Sequence, residues 1–516
     1  MYSFIISRRG ISLLSLKKKG GVYSTDFKDS GALFCFSEQE VLKAANNLTP
    51  EDVEIDYEKK DGKLSYIISH DRTEPMPVFI AGPTSEISLE HAVKAVYDTP
   101  VIILGAYSSD VSSVESLLGI LLEKKPLHIM VASGEDSETS RNYSAIMETV
   151  LFYKKNISPE TVIIFAGKKE PDSWLNRQLV SQKDYYYAHI DEGPDRYRQV
   201  HNKIMDIYTL FCLKNFSEKS RQSFLFSENN ISKAVAKLSE IYMKNIVICR
   251  LSGSSAFISG SWLKKKQPVF RNRFFTPSGE DILRFFKNTA GRDADTLINR
   301  IFNADRGTFE TSKETDGKIF NYFFRNITNR FFISNRSRKL KKNKNDLGSV
   351  VFGETDNHEP SPFFDELILT IPSKTYDISD ESIVKTVARN INIRKSLKII
   401  LDKTDAMCHA GAIFNTQKNP SRDMIRSLMK TVRTIGYIIR PLPSPGISGP
   451  IDVKIKDSET ELEYSVKKGS EQVFSLKGDI TVEAMRSGMF YAVTKSEFSE
   501  KIDFFAEKAT VIVDNK

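Results

Sequence analysis

The sequence predicts an α/β protein of several domains, and three observations carry that prediction. Its 516 residues exceed what a single hydrophobic core organises. Between Pro77 and His189, apolar runs of four or five residues alternate with amphipathic stretches, the pattern of parallel βα units in a doubly wound sheet. A β-meander opens the chain and a second one follows residue 245, as in a duplicated unit. With 40% apolar and 27% charged residues, the chain is neither a fibrous repeat nor wholly disordered.

The elements follow in order. Tyr2–Ile6, Ser12–Leu16 and Ala32–Phe36 read as strands separated by Gly10, Lys17–Gly21 and Asp29–Gly31. Val78–Ala81, Val101–Leu104, His128–Ala132 and Val162–Ala166 read as buried strands. Ser88–Tyr97, Val111–Glu123 and Ser140–Lys154 are the helices between them. Arg196–Leu213 and Ile231–Met243 carry helical periodicity, and Asn245–Cys249 is a strand ending in the small-residue turn Leu251–Ser255. Ala256–Ser259 and Val269–Phe275 continue the second meander, and a helix-rich stretch runs from Gly279 to Phe332. In it, Asn321–Phe332 groups five aromatics, as core packing or as a partner groove. Asn335–Asp346 lacks apolar periodicity and reads as an exposed loop. Ile383–Leu401 reads as helix, Met407–Phe414 as strand then turn, and Ser421–Thr434 as helix. Beyond the proline-rich Pro441–Pro450, short alternating runs predict a small β-sandwich or barrel.

The boundaries are therefore a first lobe at 1–76, an inserted α/β domain at 77–195 and a helical return to the first lobe at 196–244. A second lobe at 245–440 carries the basic loop 335–346, a linker spans 441–450, and a β domain spans 451–516. No apolar run is long enough to span a bilayer, and Arg8-Arg9 interrupts the apolar opening, so the expected location is cytoplasmic. Cys35, Cys212, Cys249 and Cys408 are far apart and no histidine stands at metal-ligand spacing from another, so neither a disulfide framework nor a metal site is expected. Charge is uneven. Trp262–Lys344 holds 20 Lys and Arg against 8 Asp and Glu, whereas Ile451–Lys516 holds 10 against 13, so the two regions present different surfaces.

Several segments together resemble one family. Ser85–Asp110, His128–Thr139 with Gly134 and Asp136, Val162–Lys168, Asn245–Ser259, Asp405–Pro420, Gly436–Pro450 and Ala509–Asp514 are similar, in this order, to segments of the glutamate mutase accessory (GlmL/MutL) family. That family belongs to the superfamily of actin, hexokinase and heat-shock chaperone ATPases. The resemblance implies a duplicated actin-like (RNase H-like) fold, a role beside cobalamin-dependent mutases and a protein partner or multi-protein complex.

The same resemblance places a nucleotide site at Ser7, Arg9, Gly10, Arg250, Ser252, Gly253, Ser254, Ser255 and Gly411, and there the chain departs from the family. Ser7 and Arg250 stand where the superfamily has the acids that hold its magnesium and phosphates. A guanidinium has no lone pair to offer a metal and repels it. The expectation is a pseudo-ATPase with no catalytic residue, no metal and no required cofactor, in which ATP or another nucleotide binding at Ser252–Ser255 stays open beside a plain turn. Arg250 is expected to pair with a protein acid or to point to solvent.

Two further sites compete. Asp110, Gly134, Asp136 and Gly167 follow strands of the α/β domain, the usual ligand edge of an open sheet, which suits a small-molecule enzyme; Asp136 also suits a helix cap. Arg336, Arg338, Lys339, Lys341, Lys342 and Lys344 suit polyanion contact or a solvated loop, and nucleic acid is not the expected partner because no aromatic lies among them. Cys408 beside His409 does not make a nucleophilic dyad, because neighbouring side chains point apart.

Overall fold

A computed structural model describes residues 2–7, 10–19, 22–30, 38–49, 66–70, 76–96, 99–133, 140–167, 184–190, 198–213, 225–252, 255–264, 267–275, 297, 301, 312–332, 337–342, 350–355, 364–372, 375–391, 396–416, 420–439, 451–457, 459, 461–467, 471–490 and 494–514. The protein is mixed α/β, with parallel pairing in three of its sheets.

The first sheet begins with β1 (Tyr2–Ser7), β2 (Gly10–Lys19), β3 (Val22–Asp29) and β4 (Tyr66–His70). β1 pairs antiparallel with β2 and parallel with β4. As the central strand it is buried on both faces: Phe4 and Ile6 pack on one side, and Ile5 joins a different core on the other. The third strand of the meander is Val22–Asp29 and not Ala32–Phe36, which lies outside the described residues. From Tyr23 onward β3 has no buried residue, so it has no apolar run to mark it in the sequence.

β5 (Met76–Gly82), β6 (Val101–Ser108), β7 (His128–Ala132), β8 (Val162–Gly167) and β9 (Tyr185–His189) form an all-parallel sheet in the order β6-β5-β7-β8-β9. Apolar cores cover both of its faces. The Glu90–Val96 and Arg198–Cys212 helices lie on one, and Val114–Lys124 and Ser140–Asn156 lie on the other. This unit sits in the chain between β4 and β10 (Leu225–Phe226), which returns to the first sheet beside β4 and completes the order β10-β4-β1-β2-β3. The Ser227–Tyr242 helix follows it.

The ten-stranded sheet opens with a similar order of strands. β11 (Ile246–Ser252), β12 (Ser255–Lys264) and β13 (Gln267–Phe275) form an antiparallel meander, and β16 (Glu366–Thr370) and β17 (Ser396–Asp402) add in parallel on the other side of β11. The Lys313–Phe332 helix packs beneath, burying Phe320, Phe323, Phe324 and Phe331, each worth roughly 1.5–3 kcal/mol of apolar burial. The aromatic group of Asn321–Phe332 is therefore core.

Four expectations are corrected here. The basic segment is not a loop over its described residues: β14 (Ser337–Lys342) pairs antiparallel with β15 (Val350–Thr355), which opens with the strand-forming run Val350–Phe352. Ile383–Leu401 is not one helix but the Asp380–Asn390 helix followed by β17, because Leu397–Leu401 is a buried run needed at the centre of the sheet. Met407–Phe414 is not strand and turn but lies in the Ala406–Thr416 helix, whose first N–H groups are taken by an aspartate. Ser421–Thr434 ends early, as the Arg422–Met429 helix, and gives way to β18 (Arg433–Ile439).

The last strands are β19 (Ile451–Lys456), β20 (Glu461–Val466), β21 (Glu471–Phe490) and β22 (Thr494–Asp514). Read from the sequence as a small sandwich or barrel, they instead continue the second-lobe sheet, through parallel pairing of β18 with β22, in the order β18-β22-β21-β19-β20. Tyr437 and Ile439 of β18 share one core with Val453, Ile455, Val482 and Val511. No helix among the described residues is long and apolar enough to cross a membrane.

Candidate functional site

The parallel strands β11, β16 and β17 end together, and their register sets what stands there. Ile248, Ile368 and Ile400 form one cross-strand row, all buried. Two residues further along, on the same face, the row is Arg250, Thr370 and Asp402. An apolar stripe therefore ends in a polar row at the carboxyl edge of the strands, where open α/β sheets usually receive ligands.

Here the edge is occupied by the chain itself. Arg250, 3% exposed, donates from Nε to Asp405 Oδ1 at 2.8 Å and from Nη2 to Oδ2 at 2.5 Å. This is the planar two-pronged pairing that guanidinium and carboxylate favour. Asp405 lies in the turn after β17 with φ of 59°, a left-handed conformation that Asp tolerates better than most side chains. Its carbonyl accepts from Cys408 N and His409 N, which starts the Ala406–Thr416 helix.

Asp402 completes the cluster. It is fully buried and receives five donors: Thr404 N, the Thr404 hydroxyl and Ala406 N on Oδ1, and Met407 N and the Thr370 hydroxyl on Oδ2, at 3.0–3.2 Å. Burial pushes its pKa up from the ordinary carboxylate value, the neighbouring Asp405 charge adds to this, and the backbone N–H bonds oppose it. Among the described residues no group of three or more His, Cys, Asp and Glu is placed to hold a metal ion.

Behind the cluster the Ala406–Thr416 helix meets the first lobe. A Cβ on Gly411 would lie 1.7 Å from the Asn230 carbonyl oxygen, so this glycine sets the close approach of two helices; it is not in a turn. Asn230 donates to Ser69 Oγ at 2.7 Å and accepts from Asn415 Nδ2 at 3.0 Å. The His409 ring lies between Ser3 Oγ at 2.9 Å and Ser12 Oγ at 3.2 Å. Cys408 points elsewhere, to the Ser227 carbonyl at 3.5 Å, so the two neighbours form no dyad. Burial also drives the Cys249 thiol far above its ordinary pKa, leaving it inert.

The other sequence-derived positions fall as follows. Ser7 pairs with Gly10 where β1 turns into β2, and Arg9 lies outside the described residues. Ser252 and Ser255 close the β11–β12 hairpin with their hydroxyls 2.7 Å apart, and Gly253 and Ser254 lie outside the described residues. Asp110 ties the turn after β6 to the turn after β5: its Oδ2 accepts from Ser85 N and Ser85 Oγ, both at 2.9 Å, and its Oδ1 from Ser108 Oγ. Gly167 ends β8, with no room for a Cβ beside Ser133 Oγ, while Gly134 and Asp136 lie outside the described residues. Arg338, Lys339, Lys341 and Lys342 lie on β14, which runs against the Ser85–Leu89 turn and the helix after it; Arg336 and Lys344 lie outside the described residues.

In the sequence Arg250 stands out as a site residue, whereas Thr370 and Asp402 do not, and Asp405 stands out only as the start of the Asp405–Pro420 segment. The available signal was an apolar run, Leu397–Leu401, followed directly by Asp402 and Asp405. Extending a helix through Leu401 hid it.

No protein-family model matches the chain, and no curated protein matches it. Among solved structures it is similar to a nucleotide-free acetone carboxylase, from work on ATP-dependent acetone carboxylation, over 90% of this chain and 80% of that one, at 9% identity and a TM-score of 0.28. A superposition that loose carries no argument about fold or activity.

Proposed function

We propose that the chain is a duplicated actin-like protein, diverged from the glutamate mutase accessory family, whose nucleotide cleft has become a structural seam and which works by holding a protein partner. The recurring strand order supports the duplication: β3-β2-β1-β4-β10 in the first lobe and β13-β12-β11-β16-β17 in the second, each a hairpin followed by parallel strands. The observation that carries the functional reading is the buried Arg250–Asp405 pair. At the position where the resemblance expects a metal-holding acid, this chain puts a cation and matches it with its own anion.

Among the described residues of that site, the polar side chains on the second meander are already engaged. Arg250 already engages a carboxylate, and the Ser252 and Ser255 hydroxyls engage each other. In the α/β domain, among the described residues, both oxygens of Asp110 are engaged with serines, which ties that carboxylate to the turn.

Thermal melting with ATP, ADP or phosphate, with and without Mg²⁺, tests the reading. A ligand bound to the native state at 100 times its dissociation constant adds about 2.7 kcal/mol. The expected result is no rise in Tm and no phosphate release above a buffer blank. A rise that disappears in the Arg250→Met/Asp405→Asn double variant would overturn it.

A further inference from the structure

The last strand of the ten-stranded sheet, β20, forms its edge among the described residues. Five of its six residues, Glu461 to Ser465, are exposed, and among the described residues it pairs only with β19. Such an edge carries a row of backbone N–H and C=O groups able to pair with a further strand.

Its two faces differ. Leu462 stands opposite Ile455 and Tyr464 opposite Val453, so both belong to the face that holds the local core. Ile455 and Val453 are buried, but Leu462 is 45% and Tyr464 50% exposed. The apolar face thus runs out to the edge and stops uncovered, with the Tyr464 ring edge-on to Phe474 at 6.0 Å. On the other face Glu461 stands opposite Lys456 and Glu463 opposite Lys454, and Lys454 Nζ reaches Glu461 at 3.3 Å and Glu463 at 3.2 Å. The lysines form the inner row and the glutamates the outer one, so a strand added beside β20 meets the glutamates first. From Asp457 to Ser465 the chain has four acids and no Lys or Arg.

We propose that β20 is a docking edge for an extended segment of another protein in which apolar residues alternate with Lys or Arg. Backbone pairing would supply the affinity, the apolar side chains would cover Leu462 and Tyr464, and the cations would extend the Lys–Glu ladder by one strand. A second copy does not fit: edge-to-edge pairing of two β20 strands brings glutamates against glutamates. The proposal rests on the partner-binding reading above and gives it a surface.

The test uses the whole chain without nucleotide and a labelled seven-residue peptide alternating Lys with Val and Thr. Its control carries Glu at each Lys. Anisotropy titrations should show the basic peptide binding at least about tenfold more tightly than the acidic one, with the gap narrowing in salt. Hydrogen exchange should slow across Glu461–Val466 when the basic peptide is present. Glu461→Lys/Glu463→Lys should reverse the charge preference, and Leu462→Ser/Tyr464→Ser should weaken both peptides; all four positions are exposed, so both variants should fold. Equal affinity for the two peptides, no binding, or binding that leaves β20 exchange unchanged would overturn the proposal and leave the glutamates as guards against aggregation. Because the assay contains no nucleotide, such a failure leaves the cleft reading to its own melting experiment.

Discussion

Asp405→Asn isolates the charge at the centre of the second lobe. Asparagine keeps the size of the side chain, accepts the left-handed φ of 59° and leaves the carbonyl that starts the Ala406–Thr416 helix. What it removes is the anion facing a guanidinium that is 3% exposed. Breaking a buried ion pair by removing one partner costs about 3–5 kcal/mol, because the remaining charge stays desolvated. The lower end is expected here. Losing the Asp405 charge removes one of the causes that raise the Asp402 pKa, and an ionised Asp402 in the same cluster then offsets part of the loss. Asp402→Asn/Asp405→Asn should therefore cost more than the single changes together, whereas Arg250→Met/Asp405→Asn should recover most of the stability. The chain has two tryptophans, and Trp262 lies on β12, edge-on to Phe364 at 6.1 Å. In a Trp174→Phe background its fluorescence reports second-lobe unfolding in denaturant. A loss below about 1 kcal/mol, the range of an exposed pair, would mean that Arg250 reaches water and would refute the reasoning.

Two further outcomes follow from the packing and the titration of single residues. Gly411→Ala should push the Ala406–Thr416 and Ser227–Tyr242 helices apart, since its Cβ would lie 1.7 Å from a backbone oxygen; a cost of about 3 kcal/mol or more is expected in denaturant melts, and a neutral change would contradict the close approach. Burial, with help from Glu115 and Asp110, pushes the Tyr107 phenol up to about 12. The fold prefers its neutral form, so its contribution is intact below the ordinary tyrosine value of about 10 and is lost as pH rises through the raised one. Tyr107→Phe should delete one phenolate transition near pH 12 from the ultraviolet titration, and should cost about 1 kcal/mol at neutral pH through the lost bond to the Ser112 carbonyl at 3.0 Å.

The elements that were legible in the sequence are those whose burial is uniform. His128–Ala132 is fully buried and stands in the parallel sheet within the bounds its apolar run predicts. β3 was missed for the opposite reason, since alternating polar residues on a half-exposed strand leave little periodic contrast. The boundary between the Asp380–Asn390 helix and β17 was hidden because Ile391, Leu397 and Leu401 suit a helix face as well as a sheet. Arg250 was legible as an anomaly, and a protein acid was among the partners expected for it. That acid could not be named, because Asp405 stands 155 residues away and only the register of β11, β16 and β17 brings the two together.

The path of β22 has a consequence for how the protein forms. β22 comes after β18, β19, β20 and β21 in the chain, yet Val511–Val513 lies between β18 and β21, paired with both. During synthesis, β18 and β21 emerge with their mutual neighbour still missing, each presenting an open edge flanked by apolar residues such as Ile438 and Val473. Pairing across that sequence distance is slow, and open edges are where nascent chains join the wrong partner. Chaperone dependence and aggregation of this protein should therefore concentrate on the interval before residues 510–513 arrive, and a chain stopped just short of them should be far less soluble than one that includes them.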